Sequence, residues 1–374
     1  MLIIIFIILL LYLVLIGALT FGFDKVDDFE LKDLEAKTKF SIVIPFRNEA
    51  KQLPALLRSL SNLNYPQSFF EIILIDDDSE DDSVQIIESE LNTTTLDVTI
   101  LKNNPDKQSP KKEAITKAIQ KAKYQWILTT DADCILPKYW LDSFDCFIQK
   151  NNGSLIVGPV AYTKSDTFLK RFQLLEFLSL QATTIGGFGL GIPFLCNGAN
   201  LCYHKNLFYE LKGFEGNTHI SSGDDIFLLQ KAVQNNKNEV QFLKNEHAVV
   251  YTIPLSNFKD LVSQRIRWAA KTSNYNSVFG KMTGIIVFSM NGLLICLPLF
   301  YIAQLISAKA LTLILLIKFS IDFLLLFKSA RFFNQEEYLK SYIQSSFLYP
   351  FFSVYVAISS VFKGYKWKDR AYKK

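Results

Sequence analysis

Hydrophobic and polar positions divide the chain into three zones. Met1–Phe23 carries no charged residue, and the first charge is Asp24. As a helix this run is about 34 Å long at ~1.5 Å per residue, enough to cross a ~30 Å hydrocarbon core. No basic residue precedes it and it exceeds the usual apolar core of a secretory signal, so it reads as an uncleaved anchor over 1–23. Apolar stretches return at Met282–Ala308, Ala310–Phe327 and Ser341–Phe362, giving two to three C-terminal crossings within 282–362. The second holds Lys318 and Asp322, four apart on one helix face and able to neutralise each other. A basic tail, 363–374, favours a cytosolic end under the positive-inside rule. Three crossings after a cytosolic domain would put that tail outside, so Ala310–Phe327 or the segment around Pro350 is open to a re-entrant or interfacial reading.

Between these ends, 24–281 is polar enough for one large globular domain. Lys39–Ile44 is a β-rich run closed by Pro45, and Leu53, Leu56, Leu57 and Leu60 follow at helical spacing. Strands are predicted at Glu71–Ile75, Val98–Leu101 and Trp126–Thr130, with helices at Val84–Leu91 and Lys111–Lys123 between them. The order βαβαβαβ predicts a mostly parallel sheet with helices on its faces.

Ligands in such sheets bind outside the carboxyl ends of the strands. There the chain places Pro45–Glu49 after the first strand, the acidic run Asp76–Asp82 after the second, and Asp131-Ala-Asp133 after the strand at 126–130. Carboxylates converging on one crevice repel unless a cation sits among them, which predicts a divalent metal. A calcium loop is excluded for 76–82, because Asp81 and Ile87 stand where an EF-hand needs glycine and glutamate. Gly187–Gly191 reads as a flexible loop. No P-loop and no nucleophile-elbow motif occurs.

Two further groups lie downstream. Ser221-Ser-Gly-Asp-Asp225 opens an amphipathic helix over Ile226–Val233, where helix capping is the ordinary role for an acid. Gln264, Arg267, Trp268 and Lys271 share one face of a juxtamembrane helix over 256–275. Amide, guanidinium, indole and ammonium groups together can hold a diphosphate and stack on a ring; the alternative is a basic–aromatic helix at the headgroups.

Composition trims the options. The AVILMFWYC set is 49% and charged residues 20%, which excludes disorder. Forty basic against 36 acidic side chains give no global case for nucleic acid. Cys134, Cys146, Cys196, Cys202 and Cys296 show neither zinc spacing nor a disulfide framework, which reads as a reducing compartment. The histidines do not cluster, and His219, five residues before Asp224, reads as having an ordinary structural role.

In order, Phe40–Glu49, Ile75-Asp-Asp-Asp-Ser79, Thr130-Asp-Ala-Asp133, Gly223-Asp-Asp225 and Gln264-x-x-Arg-Trp268 resemble the motifs of membrane-bound family 2 glycosyltransferases, across about 39–275. The resemblance implies a GT-A fold: a Rossmann-like α/β domain with a mixed, mostly parallel sheet, its nucleotide half at 39–133 and its acceptor half at 134–281. That domain would be cytosolic, on an integral membrane protein. Asp77, with Asp76 beside it, would contact the uracil of a UDP-sugar. Lys111 would position the nucleotide, Asp131 would touch ribose or sugar, and Asp133 would bind Mg2+ or Mn2+ across the diphosphate. Asp225 would be the general base, more basic through burial and neighbouring Asp224. The family usually has glutamate where this chain has Asp224. Asn197 and Asn200 match a loop near the acceptor, and Gln264, Arg267 and Trp268 would close over diphosphate and acceptor.

No second carboxylate is nominated as a nucleophile, so single displacement with inversion is expected. The acceptor would be a membrane lipid or lipid-linked glycan. A processive polysaccharide synthase is the alternative, with chains associating as a homo-oligomer to wall a channel. A non-catalytic membrane scaffold is the alternative from another class, and the presence of Asp77, Asp133, Asp225 and Arg267 argues against it.

Overall fold

The computed structural model describes residues 2–91, 96–103, 109–218, 220, 222–272, 275–362, 364–367 and 370–372. His219 and Ser221 fall outside them, as do Lys363, Lys368, Asp369, Lys373 and Lys374 of the expected basic tail. The helices are α1 (Leu2–Lys25), α2 (Leu53–Ser61), α3 (Ser83–Leu91), α4 (Pro110–Lys121), α5 (Trp140–Lys150), α6 (Phe168–Gly189), α7 (Lys205–Glu210), α8 (Asp224–Asn236), α9 (Phe258–Ala270), α10 (Val278–Ile302), α11 (Ala308–Phe332) and α12 (Tyr342–Phe362). The strands are β1 (Phe40–Phe46), β2 (Phe70–Asp76), β3 (Val98–Lys102), β4 (Trp126–Thr129), β5 (Cys134–Ile135), β6 (Leu155–Val157), β7 (Val160–Tyr162), β8 (Leu201–His204), β9 (Val240–Phe242), β10 (Val250–Thr252), β11 (Tyr365–Trp367) and β12 (Arg370–Tyr372). They fall into two compact units. One holds Asp27–Thr163 and Leu195–Ile253; the other holds Met1–Val26, Lys164–Phe194 and Pro254–Lys374.

In the first unit the described strands build a seven-stranded sheet in the order β3-β2-β1-β4-β8-β6-β9. The first four run parallel, as their alternation with helices predicts. All of β2 and nearly all of β1 is buried, which is why both read as unbroken apolar runs. Glu71 is 2% exposed within β2, and its Oε1 accepts from Ser41 Oγ at 2.6 Å. β8 turns antiparallel, pairing Leu201 with Thr129. Its start, and the Cys196–Asn200 loop before it, therefore lie at the carboxyl end of β4. A smaller sheet, β5-β10-β7, accompanies the large one.

In the second unit α1, α10, α11 and the segment Glu336–Phe362 are, among the described residues, the four helices long and apolar enough to cross a membrane. On α1 a buried stripe runs through Ile5, Leu9, Tyr12, Leu15, Ile16, Leu19 and Phe23, while Ile3, Ile4, Leu10 and Val14 stay exposed. A helix that keeps its outward face apolar suits hydrocarbon, not water. Lys318 and Asp322 pair at 2.7 Å, and Tyr12 donates to Asp322 Oδ1 at 2.6 Å, so the two charges in the middle of α11 neutralise each other. α12 continues through Pro350 as one helix.

The loop expected at Gly187–Gly191 is instead mostly helix, because α6 runs on to Gly189. Its glycines serve close packing. A Cβ on Gly186 would collide with Leu19 O, and one on Gly189 with Gly22 O. The α1 and α6 backbones thus touch through small residues, a contact typical of helices in lipid. Gly189→Val is expected to destabilise this packing by about 1–3 kcal/mol, read as a lowered melting temperature of detergent-purified protein. Gly17→Val, whose Cβ meets nothing within 4 Å, should leave it unchanged.

Candidate active site

The sheet unit carries the charged and amide side chains singled out in the sequence on the segments that follow β1, β2, β3 and β4. After β1, Arg47 is 5% exposed and donates to Asp77 O at 2.9 Å, to Asp78 Oδ2 at 3.1 Å and to Glu80 Oε1 at 2.7 Å. Asn48 and Asp78 both adopt left-handed backbone, with φ of 51° and 65°. Asn48 N–H donates to Ser79 Oγ and Asn48 Oδ1 accepts from Glu80 N–H, so the β1 and β2 loops are laced together. Asp76 Oδ1 accepts from Ser79 N–H at 2.8 Å, which bends the chain directly after β2. Asp77, 3% exposed, accepts from Asn103 Nδ2 at 2.9 Å. Asn103 follows β3, and the same amide donates to Pro110 O at the start of α4 at 3.1 Å. The acidic run after β2 is therefore a hydrogen-bonded turn, with Asp76 and Asp77 buried and Asp78, Glu80 and Asp82 open to solvent.

Next along the sheet edge, Lys111 from α4 lies 2.9 Å from Asp131 Oδ1 and 3.4 Å from Asp224 Oδ2. Burial pulls this lysine down, but the carboxylates of Asp131, Asp224 and Asp225 outweigh it and hold its pKa above the ordinary lysine range. The ammonium stays charged. Asp131 and Asp224, remote in sequence, thus share one counter-charge.

Asp225 sits in the first turn of α8. Its Oδ2 accepts from Gly198 N–H at 3.1 Å and its Oδ1 from Ile226 N–H at 2.8 Å. Simple capping does not describe it, since the N-cap is Gly223 with φ 81° and no side-chain cap bond. Gly198 belongs to the loop ahead of β8, where Asn197 caps the turn by accepting from Ala199 N–H at 3.0 Å. Asn200 is fully buried: it accepts from Trp140 Nε1 at 2.9 Å and donates to Pro159 O and Ala248 O at 2.8 Å each. Both amide hydrogens are engaged below the loop, so Asn200 props the loop up from beneath instead of facing an acceptor.

Asp133 is partly buried after β4, with the Cys134 thiol donating towards Oδ1 at 3.7 Å. Burial and the charges of Asp133 and Asp131 push that thiol's pKa up, so it stays protonated. Among the described residues no group of three or more His, Cys, Asp or Glu could cage an ion alone. A divalent ion held through a single carboxylate such as Asp133 would have to complete its shell from other ligands.

In the other unit α9 carries Gln264, Arg267 and Trp268, each partly buried. Between them Arg265 is 4% exposed, lies with its guanidinium carbon 4.2 Å from the centroid of the Trp268 ring, and donates to Gln264 Oε1. Glu176, Arg265, Asn103 and Lys112 have structural partners here that sequence reading missed. Only Asn103 had a visible cue, being the polar residue at the carboxyl end of β3.

Residues 41–211 match the model of glycosyl transferase family 2. The chain is 29% identical to poly(ribitol-phosphate) beta-N-acetylglucosaminyltransferase TarS of Staphylococcus aureus over 119 residues, 32% of this chain and 20% of TarS. It is 31% identical to the undecaprenyl-phosphate 4-deoxy-4-formamido-L-arabinose transferase of Pseudomonas savastanoi over 138 residues, 35% of this chain and 38% of that one. The chain thus spans well under half the length of these relatives. The mannosyltransferase PcManGT of Pyrobaculum calidifontis, solved with GDP-Man and Mn2+, has a similar fold at TM-score 0.55 and 13% identity, covering 95% of this chain and 99% of its own. The sheet is the mixed, mostly parallel one of the GT-A fold.

Lys112, beside Lys111, holds the approach to α8. It is 2% exposed and donates to Asn217 O at 2.7 Å, Asn217 Oδ1 at 3.1 Å and Ile220 O at 2.8 Å. Lys112→Met removes three hydrogen bonds at once; Ile220 O keeps the Ser109 hydroxyl, but both Asn217 acceptors lose this donor, and the change is expected to cost about 2 kcal/mol or more, read from the denaturation midpoint of the purified protein.

Proposed function

We propose that this chain is an inverting, metal-assisted glycosyltransferase that moves a sugar from a nucleotide donor, UDP-linked by preference, to a hydroxyl of a membrane lipid or lipid-linked glycan. The observation that carries the reading is the Lys111 ammonium between Asp131 and Asp224, with Asp225 held one residue further along. That grouping offers one cation for a diphosphate and one oriented carboxylate for a proton.

Asp77, braced by Asn103, is assigned to the base of the nucleotide, with Asp76 shaping the turn beneath. Lys111 is assigned to the nucleotide phosphates and Asp131 to ribose or sugar. Asp133 would hold Mg2+ or Mn2+, and such an ion would neutralise charge on the departing diphosphate when bound. Asp225 takes the acceptor proton: a hydroxyl does not ionise near neutral pH, so its oxygen needs a carboxylate at hydrogen-bond distance as it attacks. The Gly198 and Ile226 N–H groups keep that carboxylate in one orientation. Asn197 shapes the acceptor loop and Asn200 supports it. Gln264, Arg267 and Trp268 are assigned to donor and acceptor, because amide, guanidinium and indole suit phosphate and sugar. The lipid acceptor draws support from four membrane-length helices and from a relative whose name gives an undecaprenyl phosphate substrate. A cytosolic side for the sheet domain is in keeping with the buried, unbridged thiols of Cys134, Cys146 and Cys202.

Membranes containing the protein, screened with labelled UDP- and GDP-sugars and extracted lipids, should yield one lipid-soluble product by mass. A ladder of lengths would point to a polymerase, and no product from any donor would refute the reading. Asp225→Asn should lower turnover by about 10²–10⁴-fold while UDP binding persists. Asp133→Ala should abolish the Mn2+-dependent part of UDP binding, measured by calorimetry with and without the ion.

A further inference from the structure

The α9 helix is seated on its own unit by apolar contacts. Leu261 and Ile266 pack with Phe172 of α6 and with Phe352 and Val356 of α12. A polar clamp adds to this where the chain enters α9: Gln173 Nε2 donates to Leu255 O at 2.8 Å and its Oε1 accepts from Leu255 N–H at 3.0 Å. One helical turn further along α6, Glu176 receives Arg265 Nε at 2.9 and 2.8 Å and Arg265 Nη2 at 2.5 Å. Both side chains are nearly sealed from solvent, at 4% and 9% exposed. A buried ion pair adds little net stability over an apolar pair of the same size, since desolvation cancels most of the attraction. Helix docking is already secured without it. What this pair adds is orientation.

We propose that Glu176 and Arg265 are positioning residues for the Gln264–Trp268 motif. This rests on the glycosyltransferase reading. Glu176 fixes the Arg265 guanidinium in plane, and that group does two things. It donates to Gln264 Oε1 and it lies over the Trp268 indole. Arginine has donors only, so Gln264 must turn its oxygen inwards. Its NH2 group is then the end left to meet a ligand, and the matching ligand group is an acceptor such as a phosphate or sugar oxygen. Trp268 has the Arg265 guanidinium over its ring and the Phe177 centroid 6.4 Å away, and these two contacts fix the plane of the indole. A lysine at 265 would keep the charge but lose the planar fork that makes both contacts.

The test uses the full chain in detergent. Glu176→Arg with Arg265→Glu keeps an ion pair on the same two helices, yet puts no donor beside Gln264 and no guanidinium on Trp268. Glu176→Gln with Arg265→Met, an uncharged pair, covers the case in which the exchange does not fold. Whichever folds should keep its melting temperature, bind UDP at least tenfold more weakly, and show a raised donor KM, with Arg265→Lys behaving alike. A folded variant with wild-type UDP affinity overturns the inference. If the wild-type protein binds no nucleotide, the glycosyltransferase reading has failed instead. Acrylamide quenching then decides the positioning claim without a ligand. The Trp268 component, taken as the difference from Trp268→Phe, should be quenched more readily in the exchanged pair, and unchanged quenching rejects the claim.

Discussion

Lys111 Nζ stands 2.9 Å from one carboxylate and 3.4 Å from another, and Asp225 follows the second in sequence. Two carboxylates drawn to one point repel each other, so such a grouping needs a resident cation. Lysine meets that need with a flexible stem, and a bound diphosphate could compete for the same ammonium. The electrostatics of the site thus link donor binding to the arrangement of its acids.

The scaffold brings these groups together by topology. Parallel strands β2, β1 and β4 deliver three loops to one edge, and the reversal at β8 brings a fourth loop, with Gly198, to the same edge. Asn103, Lys112 and Asn200 then fix the loops from below with buried hydrogen bonds. Each has little freedom to move, because a buried polar atom that loses its partner costs about 1–3 kcal/mol.

Much of this was legible in the residues. β1 to β4 and the helices between them followed from unbroken apolar runs and helical spacing, since central parallel strands are covered on both faces. The acids after β2 and β4 followed from the strand-end rule. α6 did not, because glycines at its end resemble a loop until α1 packs against them. The props were hidden for a related reason: Lys112 meets Asn217 across 105 residues and Arg265 meets Glu176 across 89, separations that no local pattern encodes. The buried role of Asn200 likewise depends on Trp140, Pro159 and Ala248, all outside its own loop.

Anomalous X-ray scattering from crystals grown with UDP and Mn2+ addresses the central claim most directly. The account predicts a manganese peak in direct contact with the Asp133 carboxylate and the diphosphate, with the uracil beside Asp77 and Lys111 on a phosphate oxygen. Manganese away from Asp133, or a nucleotide bound elsewhere on the chain, would contradict it.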